Sequence, residues 1–167
     1  NPNDNPRYED FCGHYHGLME RKGVSPEAAR TIVRTNTTVI ASLLLARGKA
    51  DAMICGTYGQ YLRHLRYVLD VIGKAAGVTE AAALGVLILD KGTYFFCDTH
   101  VKAEPTAEEM VEATMMAAEE VRRFGIEPRV AFLSHSNFGS AETPSARKVQ
   151  AAVRLLAQRR PDFEFEG

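Results

Sequence analysis

From Thr106 to Phe165 the chain alternates helix-like and strand-like stretches, with a stop or start signal at nearly every junction. Thr106-Ala-Glu-Glu109 has the spacing of a capping box and predicts a helix to about Phe124. Gly125 ends it, after Arg122 and Arg123 have met the negative end of the helix dipole. Arg129 to Ser134 (RVAFLS) reads as a buried strand, and the loop from His135 to Glu142 runs into Thr143-Pro144, an N-cap followed by a first-turn proline. The next helix reaches about Arg160, and Phe163 to Phe165 reads as a last strand. Ahead of this run, Ala82 to Leu89 and Thr93 to Asp98 predict a β-hairpin around Asp90-Lys91-Gly92. Strands that alternate with helices, plus one hairpin, imply an α/β fold: a three-layer α/β/α sandwich with a mixed sheet.

The first part of the chain is mostly helical by the same signals. Pro6 to Lys22 predicts an amphipathic helix ended by Gly23, and Ser25-Pro26-Glu27 opens a second one that runs to about Arg34. Thr38 to Arg47 predicts a buried helix, Asp51 to Cys55 (DAMIC) a short buried strand, and Gln60 to Ile72 another helix. Residues 1–167 read as one domain, with the polar segment before Pro6 the nearest thing to a boundary. The chain begins without methionine and stops in a strand-like stretch, which implies a piece of a longer polypeptide.

Composition narrows the function by exclusion. With 46% hydrophobic and 25% charged residues and a net charge of −1, nothing draws the chain as a whole to nucleic acid or to a membrane. No apolar run approaches the roughly 20 residues of a membrane span. Cys12, Cys55 and Cys97 are far apart and odd in number, which argues against a disulfide framework and points to a cytoplasmic protein. No HExxH or similar spacing suggests a metal site, and no GxSxG, Walker A or GxGxxG motif occurs.

The stretch from Leu133 to Ala141 is the best candidate for binding. It lies between the end of a strand and the start of a helix, where open α/β sheets take their ligands. Gly139 would allow close backbone approach, Ser134, Ser136 and Ser140 offer hydroxyls, and the free N–H groups of the next helix favour an anion. A plain turn built of small residues accounts for the same letters. The following helix carries Arg147, Lys148, Arg154, Arg159 and Arg160, either facing phosphates or forming a solvated face. Arg63 and Arg66, beside His64, share a helix face with the same two readings, and Asp98 with His100 is a candidate polar pair.

Several of these segments, in order, resemble the phosphate acetyl/butyryl transferase family. Leu133–Ala141 is similar to the family's LSxSTKGSA, Tyr8 to Glu27 to its PRYEEY…RKGxTxEEA, and Lys49 to Gly56 to its xADGMVSG. Cys97 to Glu109 resembles ADCAVNxxPTAEE, and Phe124 to Val130 and Arg159 to Gly167 also match. The resemblance implies part of a two-domain isocitrate-dehydrogenase-like, phosphotransacetylase fold. Two departures stand out: Asn137-Phe138 replaces Thr-Lys, and Gly56-Thr-Tyr-Gly-Gln-Tyr61 replaces a small polar GAxHST stretch. Both look like the transferase-like domain of NADP-dependent malic enzymes.

The resemblance then implies an acyl-CoA and phosphate cleft at Arg34, Arg66, Ser134, Ser136, Asn137, Gly139 and Ser140. It places the family's catalytic residues outside this chain, so no catalytic residue is expected within it. The function implied is an acetyl-CoA-sensing regulatory and oligomerisation domain, taking acetyl-CoA or another acyl-CoA and assembling as a homo-oligomer. NADP and a divalent metal would belong to the parent's oxidoreductase domain. The alternative is an active phosphate acetyltransferase.

Overall fold

The computed structural model describes residues 6–167, so the polar segment ahead of Pro6 lies outside the described residues. The chain forms two compact units, one ending at Gly77 and the other spanning Val78–Gly167.

The first unit is helical. Helix α1 (Tyr8–Met19) buries Phe11, Cys12, Tyr15 and Met19, a stripe at helical spacing. It tightens into a 3-10 turn, Glu20–Lys22, and stops at Gly23, whose φ of +84° only glycine adopts cheaply. Helix α2 (Pro26–Thr35) starts where the sequence implies, the Ser25 hydroxyl accepting the Ala28 N–H at 3.2 Å. Helix α3 (Thr37–Ala46) follows after Asn36 leaves the helical region, and α4 (Tyr61–Val71) completes the unit. Ala29, Val33, Val39 and Leu43 close the core against the α1 stripe and Val71. Arg47, just past α3, ties back to α1: it is paired with the Asp10 carboxylate, bonds His14 Nδ1 at 2.9 Å and lies over the Phe11 ring.

Asp51–Cys55 is not a strand, contrary to the sequence reading. Met53 turns onto α3, where Ser42 donates to its sulfur at 3.6 Å, while Ile54 is 99% exposed. A strand needs a neighbour to satisfy its backbone groups, and none of the described strands lies alongside this segment.

The second unit holds the strands. β1 (Leu84–Leu89) and β2 (Gly92–Cys97) form the expected hairpin, with Leu89 opposite Gly92 and Leu84 opposite Cys97. Phe95 meets Phe124 edge-on at 5.3 Å, whereas Leu87, Leu89, Tyr94 and Phe96 on the other face stay exposed. Helix α5 (Ala107–Arg123) opens with the complete capping box, Thr106 and Glu109 each accepting the other's N–H. β3 (Arg129–Ala131) then crosses through α6 (Pro144–Arg159) to β4 (Glu164–Glu166), parallel to β3. Val111 and Ala118 pack with Ala152, Leu156 and Phe163 between these helices and strands.

The α/β class of the sequence reading therefore holds. Among the described residues the strands pair as two separate two-stranded sheets, one antiparallel and one parallel, rather than in one mixed sheet. β3 is also shorter than RVAFLS: ladder pairing stops near Phe132, whose N–H reaches Glu166 O at 2.8 Å, and Leu133 is 78% exposed.

Candidate functional site

Each unit presents one candidate. In the second unit it is the loop between β3 and α6, where the sequence reading places Ser134, Ser136, Asn137, Gly139 and Ser140. The three serines organise the loop itself. Ser134 Oγ accepts from Ser136 N at 3.0 Å, Ser136 Oγ from Ala141 N at 3.0 Å, and Ser140 Oγ from Asn137 N at 3.1 Å. A hydroxyl that accepts one bond still has a proton to donate, so Ser136 and Ser140 retain a donor for a ligand. Phe138 and Gly139 both have positive φ, 47° and 83°, and Phe138 is 78% exposed. A Cβ on Gly139 would stand 2.9 Å from Gln150 Nε2, so the glycine lets the loop lie close to α6.

Thr143 caps α6 through Ala146 N at 3.2 Å, which consumes part of the anion-binding capacity foreseen for this helix start. Of the α6 cations, Lys148 is turned to Glu104 at 2.9 Å. Asp98 and His100 are linked through the main chain. Burial works to raise the Asp98 pKa, but N–H groups of His100, Lys102, Val101 and Ala83 outweigh it and hold the carboxylate below its usual value.

In the first unit the candidate is a recess of about 150 Å³ between the start of α3 and the segment that follows Ile54. Thr37, Thr38 and Thr57 supply hydroxyls to its lining, Ala41 and Ile54 apolar surface, and Cys55 a thiol. No side chain caps α3, because the Asn36 amide is turned back to Ile32 O and Thr35 Oγ1, both at 3.0 Å. A volume of about 150 Å³ is below the roughly 300–1,000 Å³ of pockets that enclose a drug-sized molecule. It suits one small group of a larger ligand.

Arg34 ends α2 just before this rim and is exposed. Arg66 projects from α4, 83% exposed, with Asp70 at 3.9 Å; Asp70 also takes Lys22 at 2.6 Å. Asp70 is only 14% exposed but is already held by Lys22, and at 3.9 Å it grips the exposed guanidinium weakly, so Arg66 remains available to an anion. The structure therefore groups the loop residues in one unit and places both arginines in the other. Sequence reasoning missed Thr38 and gave His64 no role of its own. Their 2.7 Å bond joins positions 26 apart, and no local spacing signals it.

A larger recess, about 330 Å³, lies at the opposite ends of β3 and β4. Glu127, Asp162 and Glu164 make its lining acidic, and Arg129 there is paired with Glu164 at 3.4 Å. An anionic ligand is disfavoured at such a surface. Among the described residues no three His, Cys, Asp or Glu side chains group as a metal site would require. No helix among them is long and apolar enough to cross a membrane.

A family model described as phosphate acetyl/butaryl transferase matches residues 1–167. The chain is 54% identical over 167 residues to an NAD-dependent malic enzyme of Rhizobium meliloti, covering 100% of this chain and 22% of that protein. It is 51% identical over 164 residues to an NADP-dependent malic enzyme of Haemophilus influenzae, covering 98% and 22% respectively. A crystal structure of a phosphotransacetylase from Streptococcus pyogenes superposes with a TM-score of 0.82 at 28% identity, over 96% of this chain and 50% of the other. The chain thus spans about a fifth of the malic enzymes and half of the solved phosphotransacetylase.

Proposed function

Because the chain belongs to the phosphate acetyl/butaryl transferase family, we propose that it is the acyl-CoA-sensing and oligomerisation part of a longer malic-enzyme-type protein. The observation that carries this reading is the loop after β3. Asn137-Phe138 stands where the transferase pattern has Thr-Lys, and Phe138 is 78% exposed, so the loop offers hydrogen bonds but no cation. The 54% and 51% identities to malic enzymes support the same assignment.

In this reading the hydroxyls of Ser136 and Ser140, with Asn137, are the second unit's hydrogen-bonding groups for acetyl-CoA or another acyl-CoA, and Arg34 and Arg66 are the first unit's cations for phosphate charge. Ser134 and Gly139 shape the loop that presents them. NADP or NAD and a divalent metal belong to the oxidoreductase part outside this chain, which would decarboxylate malate oxidatively to pyruvate. The exposed face of the β1–β2 hairpin supports a homo-oligomer, since apolar patches mark interaction surfaces. Three unpaired thiols fit a cytoplasmic setting.

The test is a titration of the full-length parent with acetyl-CoA while nicotinamide reduction by malate is followed. Cooperative inhibition is expected, and Arg66→Ala should shift its midpoint about tenfold, the worth of one charge-assisted contact. The second reading, an active acetyltransferase, draws on the likeness to a solved phosphotransacetylase. In it a phosphate oxygen attacks the thioester carbonyl and the CoA thiolate leaves. Acetyl phosphate formation by the parent would establish that reading and sink the purely regulatory one.

A further inference from the structure

The His64 side chain bridges the two walls of the α3 recess. It sits in the first turn of α4, with Nε2 2.8 Å from the carbonyl oxygen of Tyr58 and Nδ1 2.7 Å from the hydroxyl of Thr38. A carbonyl can only accept, so Nε2 carries the proton, and a neutral ring must then accept from the Thr38 hydroxyl at Nδ1. Thr38 is 3% exposed at the start of α3, a rigid anchor, whereas Tyr58 lies in the loop between Gly56 and Gly59. Gly56 and Gly59 have φ of +90° and +96°, and the Tyr58 side chain is 77% exposed. The loop also lies close to the ring: a Cβ at Gly59 would stand 3.1 Å from Nε2. The imidazole therefore sets the distance between the loop and the α3 N-terminus, and with it the width of the recess.

We infer that His64 is a positioning residue, a strut between Thr38 and Tyr58 that holds the recess open at one width for the small end of the ligand. The inference rests on the acyl-CoA reading for the identity of that ligand, but the strut itself does not. Replacing the Thr38 hydroxyl by a methyl should therefore disturb the recess nearly as much as removing the ring.

The experiment uses the full-length parent with His64→Ala, Thr38→Val and Thr38→Ser, and acetyl-CoA as the probe. Two readouts are taken: the acetyl-CoA dissociation constant by equilibrium dialysis, and the rate of chymotryptic cleavage after Tyr58 without ligand. His64→Ala should weaken acetyl-CoA binding about tenfold and Thr38→Val severalfold, with cleavage faster in both. Thr38→Ser, which keeps the hydroxyl, should restore both readouts to the parent's values. That rescue separates a hydrogen-bonded strut from a general packing role. If His64→Ala does not fold, the Val and Ser pair at Thr38 decides alone. Parent-like cleavage in Thr38→Val would overturn the strut. A wild-type parent that binds no acetyl-CoA would overturn the functional reading instead, and the cleavage arm would still judge His64.

Discussion

The two candidate sites are built on opposite plans. The loop after β3 is held by bonds between neighbours, Ser134 with Ser136, Asn137 with Ser140 and Ser136 with Ala141. The α3 recess is held by bonds between distant positions, Thr38 with His64 and Ser42 with Met53. A locally bonded loop keeps its shape as long as its own residues are right. A recess assembled from separate helices exists only while the helical core beneath it is intact, because each anchor moves with its helix. The difference predicts which substitutions reach each site.

The largest effect is expected in the core of the first unit. Leu43 is fully buried, and Leu43→Ala should cost about 2–5 kcal/mol in chemical denaturation. Amide-exchange protection should fall across residues up to 77 and leave the loop after β3 unchanged. Loss of protection in both units alike would erase the distinction drawn between them.

Gly139→Ala is the complementary change in the loop. It imposes a side chain at φ +83° and within 2.9 Å of Gln150 Nε2, so about 1–2 kcal/mol of destabilisation is expected. Adding Gln150→Ala should recover the part due to the close contact and leave the part due to φ. Full recovery in the double variant would show that the backbone conformation carries no cost there. A smaller loss, about 1 kcal/mol, is expected for Thr106→Ala, which removes the α5 cap.

Acid acts on both units through carboxylates that folding holds below their usual pKa. In the first unit, Asp10 is lowered by its bond to Arg47. In the second, Glu109 is lowered by Lys102 and then the Thr106 N–H, and Asp98 by its backbone donors despite burial. A lowered carboxylate adds stability that is fully present above the ordinary carboxylate range and is lost as pH falls through its folded value. Denaturation midpoints should therefore be flat near neutrality and fall below about pH 4. Thr106→Ala, with Glu109 keeping its Lys102 partner at 2.6 Å, should preserve most of the second unit's acid sensitivity.

The smallest effect is chemical rather than energetic. Cys55 is exposed at the recess, Cys12 is buried with its thiol pKa raised, and burial followed by the Asp98 charge pushes the Cys97 thiol up to about 11. Alkylation at neutral pH should modify Cys55 first, since the thiolate is the nucleophile. Labelling of Cys97 ahead of Cys55 would contradict this ordering.

Much of the fold was legible because its signals are local. Ser25-Pro26, Thr106 with Glu109, and Thr143-Pro144 each satisfy helix N–H groups within a few positions, and each helix starts where those letters say. The Asp90-Lys91 turn likewise sets the hairpin register, Leu89 against Gly92. The serines of the loop after β3 also bond within a few positions, and that loop was legible from its place between a strand and a helix and its run of hydroxyls. Asp51–Cys55 marks the limit: an apolar run becomes a strand only beside another strand, and here Met53 takes the α3 surface instead. The same limit hid the recess. Nothing near His64 in the chain announces Thr38 or the Tyr58 carbonyl, and only the packing of α1 to α4 brings them within hydrogen-bond reach. The sequence determined where helices begin, where the hairpin turns and which loop is rich in hydroxyls, since those are bonds between neighbours. Tertiary structure decided which strands pair, what Gly139 packs against and which ring holds the recess, since those depend on groups that meet only once the core has closed.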